Sequence, residues 1–194
     1  MDGAALPLWI KLASTLFVAV LVPVYWREYG PLNFLWFSDI ALFSMVAALW
    51  LESSLLASMM VLAIGLPETA WNVDFWGRLA TRRRLLGMAD YMFDAAIPAF
   101  VRALSLFHVW MPVVLLWMVY RLGYDRRAWA LQSLVALVVF PLARVLTPPA
   151  DNVNWVYGPG GTPRPRGWSW VVFLATFFPL VVYLLTHFLM VAIF

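Results

Sequence analysis

The chain reads as an all-α, polytopic integral membrane helix bundle, a single transmembrane domain over residues 1–194. Three observations predict this. Hydrophobic residues make up 64% of the chain and charged residues 12%, which leaves too few polar groups to cover a soluble globule. Apolar runs long enough to cross about 30 Å of hydrocarbon recur from end to end. The arginines gather in short connections between those runs, as the positive-inside rule expects of membrane proteins.

The stretch 53–84 sets the pattern. Leu55 to Leu66 is apolar, Gly65-Leu66-Pro67 interrupts it, and Glu68, Trp71, Asp74 and Trp76 follow before Arg78 and Arg82-Arg83-Arg84 close it. Pro67 removes one helical hydrogen bond, which either kinks a helix or frees carbonyls that line a site.

In chain order, the first span covers 8–26, with Lys11 near its start, where a long side chain reaches the interface. The N-terminal Met1 to Pro7 lacks a basic n-region, and Val22 to Trp26 lacks a small-residue cleavage pattern. This first run is therefore expected to be a retained span. A tight turn at Arg27 to Pro31 leads to the second span, 32–51, which carries Asp39; the third, 53–73, begins just after Glu52. Connections this short make the three spans antiparallel neighbours.

Leu85 to Leu122 is apolar but interrupted by Asp90, Asp94, Pro98, Arg102 and His108. As one helix it would be about 55 Å long at 1.5 Å per residue, nearly twice what a bilayer needs. Splitting it into spans 85–101 and 104–122 gives seven spans, and laying its first part along the interface gives six. Seven spans put Arg27, Arg78, Arg82, Arg83, Arg84, Arg121, Arg126 and Arg127 on one side against Arg164 and Arg166. That bias favours seven over six, with the N-terminus outside and the C-terminus cytoplasmic.

The remaining spans are 128–146 and 168–194. The loop between them, 147–167, is rich in proline and glycine and holds Asp151, Asn152 and Asn154 among aromatic residues. It is the one connection long enough to fold over a pore or site. No internal repeat is evident. Of the 12 tryptophans, Trp26, Trp50, Trp71, Trp76, Trp129, Trp168 and Trp170 fall near run ends and are expected to anchor at the headgroups.

Several function classes drop out. The formal charge of +3 comes from loop arginines that membrane orientation already explains, so nucleic acid is not an expected partner. Without cysteine there is no disulfide, thiolate metal site or iron–sulfur cluster. No motif names a cofactor. His108 and His187 would lie about 22 Å apart in depth on parallel spans, which argues against one haem held by both.

An ionised carboxylate at mid-bilayer costs about 2.5–3.5 kcal/mol, so each one calls for a partner, a wet cavity or a place near the headgroups. Asp39 and Glu68 fall at similar depth, about 10 and 8 Å from the arginine-rich side, on neighbouring spans. Asp94 and His187 fall in the same half when seven spans are drawn. The expected binding set is therefore Asp39, Glu68, Asp94 and His187 in a polar cavity, with Asp151, Asn152 and Asn154 on the loop as a lid. Headgroup contact, arginine pairing or helix capping is the plainer role for each, and weighs most on Asp74 and Asp90. The expectation is a protein that binds and transports a small solute, ion or lipid. The rivals are a membrane-embedded enzyme acting on a lipid or isoprenoid, with carboxylates and a histidine as metal or acid/base groups, and a structural subunit of a membrane complex.

Overall fold

The computed structural model describes residues 6–159 and 166–194, and within them every regular element is helical. The helices are α1 (Leu8–Tyr29), α2 (Phe37–Leu51), α3 (Ser54–Thr81), α4 (Ala99–Leu104), α5 (Phe107–Leu122), α6 (Ala128–Leu146), α7 (Trp168–Phe177) and α8 (Leu184–Ile193). A π-helical turn, Phe178–Tyr183, joins α7 to α8, and α4 with α5 makes one apolar segment, Ala99–Leu122. Five helical segments are long and apolar enough to cross a membrane, and α2 is a shorter apolar helix beside them. This is the architecture of a multi-pass membrane protein.

Burial decides which helix is central. Over half of the apolar window of α3, 56%, is buried, against 22% for α1. α3 packs against α2, α5, α6 and α8. Ala41, Ala48 and Ala57 are fully buried among α2 and α3, where small side chains allow close approach. The outward surface is apolar instead: Leu12 and Leu16 of α1, Val113 of α5, Val138 of α6 and Phe188 of α8 are all exposed. A belt of this kind is what lipid tails solvate.

Local chemistry sets the helix ends. Gly30, at φ +78°, ends α1 with its N–H on the Trp26 carbonyl, and Pro31 opens a 3₁₀ turn, Pro31–Leu35. Glu52, in the left-handed region, closes α2, and Ser53 caps α3 by accepting the Leu56 N–H at 3.3 Å. The second span therefore begins at Phe37, five residues later than the apolar run suggested, and α3 continues through Pro67 as far as Thr81. At 28 residues α3 is about 42 Å long, so its last turns stand beyond the hydrocarbon.

The expected span at 85–101 does not form. Residues 85–98 make turns and a 3₁₀ helix, Asp90–Phe93, that cap the projecting end of α3. Met92, Ala89 and Met88 pack on Trp71 and Phe75. The Asp74 carboxylate accepts the Leu86 and Ala89 N–H groups at 2.7 and 2.8 Å, while Asp90 pairs with Arg78 and, at 2.7 Å, with Arg84. Polar groups that would be costly in lipid are satisfied here by one another. Asp90 and Asp94 accordingly share no helix face.

Removing that span reverses everything downstream. One end of the bundle, the terminal end, holds the beginning of α1, the α2–α3 connection, the α5–α6 connection and α8. Contacts tie these together: Leu6 N–H and Lys11 Nζ on Glu52 Oε1 at 3.0 and 2.7 Å, Asp125 N–H on Ser58 Oγ at 3.0 Å, and Tyr124 Oη with His187 Nδ1 at 2.8 Å. The other end holds the 3₁₀ turn, residues 82–98 and the described part of the 147–167 loop. The start of α1 and the end of α8 thus lie at the same end of the bundle, where seven spans would have separated them.

Two tests follow from this arrangement. In a chain without native cysteine, single cysteines at Arg83 and Ala150 should label from the same membrane face and one at Arg126 from the opposite face; labelling of 83 and 150 from opposite faces would restore seven spans. Glu52 is held below its ordinary value of 4.5 by Lys11 and the Leu6 N–H. Its depressed value means the clip stabilises the fold above about pH 4.5 and is lost as the pH falls through the folded-state value. The melting-temperature gap between wild type and Glu52→Gln, measured in micelles, should therefore be present at pH 7 and shrink on acidification.

Candidate functional site: an aromatic chamber with a carboxylate–imidazole pair

A cavity of about 360 Å³ lies at the end of the bundle opposite the chain ends. Its walls come from several elements: Tyr25 and Tyr29 of α1, Trp36 to Asp39 at the start of α2, Ala63 to Trp71 of α3, Met88 and Tyr91 of the capping segment, and Ser105 to His108 at the α4–α5 junction. Asp151, Asn154 and Trp155 of the long loop complete it, with Asp151 exposed at the mouth.

The chamber is built around Glu68. His108 Nδ1 lies 2.9 Å from both Glu68 carboxylate oxygens, so the imidazole N–H donates into the fork between them. Glu68 is 4% exposed, and the His108 side chain is 13% exposed. One side chain fixes both backbones: Asn72 Nδ2 donates to the Glu68 carbonyl at 2.9 Å and to the His108 carbonyl at 2.8 Å. Trp71 and Phe107 sandwich the imidazole, with centroids 4.7 and 4.2 Å away. A histidine held through Nδ1 keeps Nε2 for other chemistry, which is the arrangement of an acid–base group.

The α4–α5 break puts His108 in place. The helix is interrupted at Ser105 and Leu106, and the Ser105 hydroxyl meets the Tyr25 hydroxyl at 2.5 Å, tying this junction to α1. Burial pushes the Tyr91 phenol well above its ordinary value, so it stands in the wall as a neutral hydroxyl.

Asp39 lies in the first turn of α2, where the helix dipole favours negative charge. It is 3% exposed; Oδ2 is 3.4 Å from the Asn33 amide, and Oδ1 has no hydrogen-bond partner among the described residues. The N-terminus of α2 is held from the loop. Asn154 Oδ1 accepts the Phe37 N–H at 3.0 Å, and its Nδ2 donates to the Leu35 carbonyl at 2.8 Å, so one amide bridges the 3₁₀ turn and the helix. Asn152, Asn154 and Trp155 all have positive φ. Asparagine tolerates that region, but a tryptophan there is strained and must be held. Its carbonyl accepts the Trp170 indole N–H at 2.8 Å, and its ring meets Trp36 edge-on.

The structure thus brings Asp39, Glu68, Asp151 and Asn154 to one chamber and leaves the other expected residues out. Asn152 works inside the loop, accepting from the Tyr157 N–H and donating to the Gly158 carbonyl at 2.9 and 3.0 Å. Asp94 is exposed and accepts the Ala96 N–H, because residues 85–98 form a cap and not a helix. His187 sits at the terminal end on Tyr124, so it does not converge with the carboxylates. Trp71, expected as a headgroup anchor, is 5% exposed and stacks on His108. Sequence reasoning missed His108, Tyr25 and Tyr91. Drawing six spans would have found His108, since its helix then starts from the end at which the C-terminal half of α3 lies. Among the described residues no three His, Asp or Glu side chains are arranged to hold a metal ion.

Asn154→Ala leaves the Phe37 N–H and Leu35 carbonyl without their partner in a buried site, which should destabilise the protein by about 1–3 kcal/mol. Thermal unfolding in micelles should fall accordingly, and limited proteolysis should cut residues 147–158 faster. Unchanged values for both would mean that the loop is not held through this amide.

No protein-family model, curated protein or solved structure matches the chain, so the reading of the chamber rests on its own residues.

Proposed function

We propose that this multi-pass membrane protein binds a small amphipathic ligand in the chamber, beneath the 147–158 part of the loop. The observation that carries this reading is a buried carboxylate–imidazole pair in a cavity otherwise walled largely by aromatic rings. Pockets of this make-up, apolar with a few convergent polar groups, are the usual form of a small-molecule site. Toward the terminal end the bundle closes: Leu21, Met45, Leu49, Leu62, Met111 and Leu115 are fully buried in apolar packing. A one-ended chamber supports binding over conduction straight through the bundle.

Charge supports an orientation. Arg27, Arg78, Arg82, Arg83, Arg84, Arg102, Arg144 and Arg166 belong to the chamber end, and Lys11, Arg121, Arg126 and Arg127 to the terminal end. The positive-inside rule then puts the chamber toward the cytoplasm and both chain ends on the other side. A second reading, a membrane-embedded enzyme acting on a lipid or isoprenoid, is favoured by the anchored His108, whose Nε2 is free of the Glu68 pairing for proton transfer to or from a bound substrate.

Native mass spectrometry of the protein extracted in mild detergent tests the binding reading. The wild type should carry a small-molecule adduct, Ser38→Trp at the chamber wall should lose it, and Val138→Trp on the lipid-facing surface should keep it. A wild type without adduct, or one retained in Ser38→Trp, removes the reading. Lipid turnover by the wild type that His108→Gln abolishes while keeping the adduct would establish the enzyme.

A further inference from the structure

We propose that the ligand of the chamber carries an amine-type cation, protonated or quaternary, on an apolar body; this rests on the binding function proposed above. Charge is the first argument. Asp39, Glu68 and Asp151 line the chamber, and among the described residues no lysine or arginine does. Glu68 has His108 as its partner, and Asp151 stands at the exposed mouth. Asp39 is left, nine-tenths buried and with Oδ1 unpartnered among the described residues.

A buried carboxylate oxygen without a donor is a costly group, and proteins keep few of them unless something else completes the site. An anionic ligand would add repulsion to that cost. A neutral ligand would give a hydrogen bond but leave the charge. A cation supplies both what Asp39 lacks and the charge balance of the whole chamber.

The walls narrow the class of cation. Tyr25, Tyr29, Trp36, Trp71, Tyr91 and Trp155 present aromatic surface around the carboxylates, the surroundings in which ammonium groups are held by ring faces. A bare metal ion is a poor match, because it needs several converging oxygen or nitrogen ligands, and the described residues show no such set. A cavity of about 360 Å³ is also far larger than an ion and suits a headgroup with part of its chain. Pro67 adds to the polarity of the wall. It has no N–H to give the Ala63 carbonyl one turn back, and both residues line the chamber.

The test uses the full chain in maltoside micelles at pH 7.5 and four short probes of matched length: hexyltrimethylammonium, hexylamine, hexanol and hexanoate. Quenching of tryptophan fluorescence reports binding, because Trp36, Trp71 and Trp155 line the cavity. The two cations should bind at least tenfold more tightly than hexanol, with hexanoate weakest. Asp39→Asn should cut cation affinity at least tenfold and leave hexanol unchanged; Asp151→Asn, at the exposed mouth, should cut it less. Equal binding of hexanol and the cations by the wild type would overturn the cation assignment while keeping the chamber as a binding site. Quenching by none of the four would count against the binding function itself. Should Asp39→Asn not fold, the wild-type order of affinities and Asp151→Asn still decide.

Discussion

A carboxylate buried inside an apolar bundle has to be matched, and the upper half of this protein depends on how Glu68 is matched. Its side chain meets the His108 ring, and the Asn72 amide ties the carbonyls of the same two residues. Three hydrogen-bonding groups on two helices therefore fix both the rotation and the height of α3 against α5. From that register the rest of the chamber end is set. Ser105, three residues before His108, reaches Tyr25 and so fixes α1, and Trp71, three after Glu68, covers the imidazole. Removing one partner of a buried pair of this kind costs about 3–5 kcal/mol, because the other is left uncompensated. The polar pair is thus as much a packing device as a chemical one.

Much of the bundle was legible in the sequence because lipid imposes a length. The runs that became α1, α3, α6 and the final helix are long, apolar and bounded by turn residues, and the structure shifts their ends without changing their nature. The failure at residues 85–101 has a physical cause. Hydropathy sees Leu85, Leu86, Met88, Tyr91, Met92 and Phe93 as an apolar run, yet Met88, Tyr91, Met92 and Phe93 pack on Trp71 and Phe75 of α3, while Leu85 and Leu86 are exposed. An apolar cap on a projecting helix and a short span look the same in composition. Asp90 and Asp94 within it, with Pro98 just after, were the signal that told against a span. The arginine count favoured seven spans because it omitted Arg102 and Arg144 and set Arg166 on the far side, whereas the fold puts these three at the chamber end with Arg78 and Arg82; Arg164 lies outside the described residues.

The site was legible in part for the same reason. Depth along a helix follows from 1.5 Å per residue, so Asp39 and Glu68 could be brought to one level. Rotation does not follow from sequence, and neither does the identity of a partner on a helix whose direction has been inverted; His108 was lost that way. Asn154 shows the converse. The loop that carries it is irregular and could not be drawn, but its polar and aromatic composition marked it, and the function of the amide is now specific: it completes the hydrogen bonding of a helix that starts inside the protein.

The two ends of the bundle obey different rules. At the terminal end charges close on one another, Lys11 with Glu52 and Asp125 with Arg127, and the Asp125 carboxyl is held below its ordinary value by that arginine. At the chamber end a tryptophan sits in the left-handed region, a proline interrupts the ladder of the central helix, and Asp39 and Tyr29 keep side-chain oxygens without partners. Each of these works against stability, and they gather around one cavity; away from it, Gln132 and Tyr183 also keep buried side-chain atoms without partners among the described residues. Packing alone would remove them: a leucine at 39 would bury more apolar surface with no orphaned oxygen. The clustering of such costs in one place is the mark of a site where something other than stability is being served. Asp39 is its sharpest instance, because even at a helix terminus its Oδ1 is left unbonded at the chamber wall.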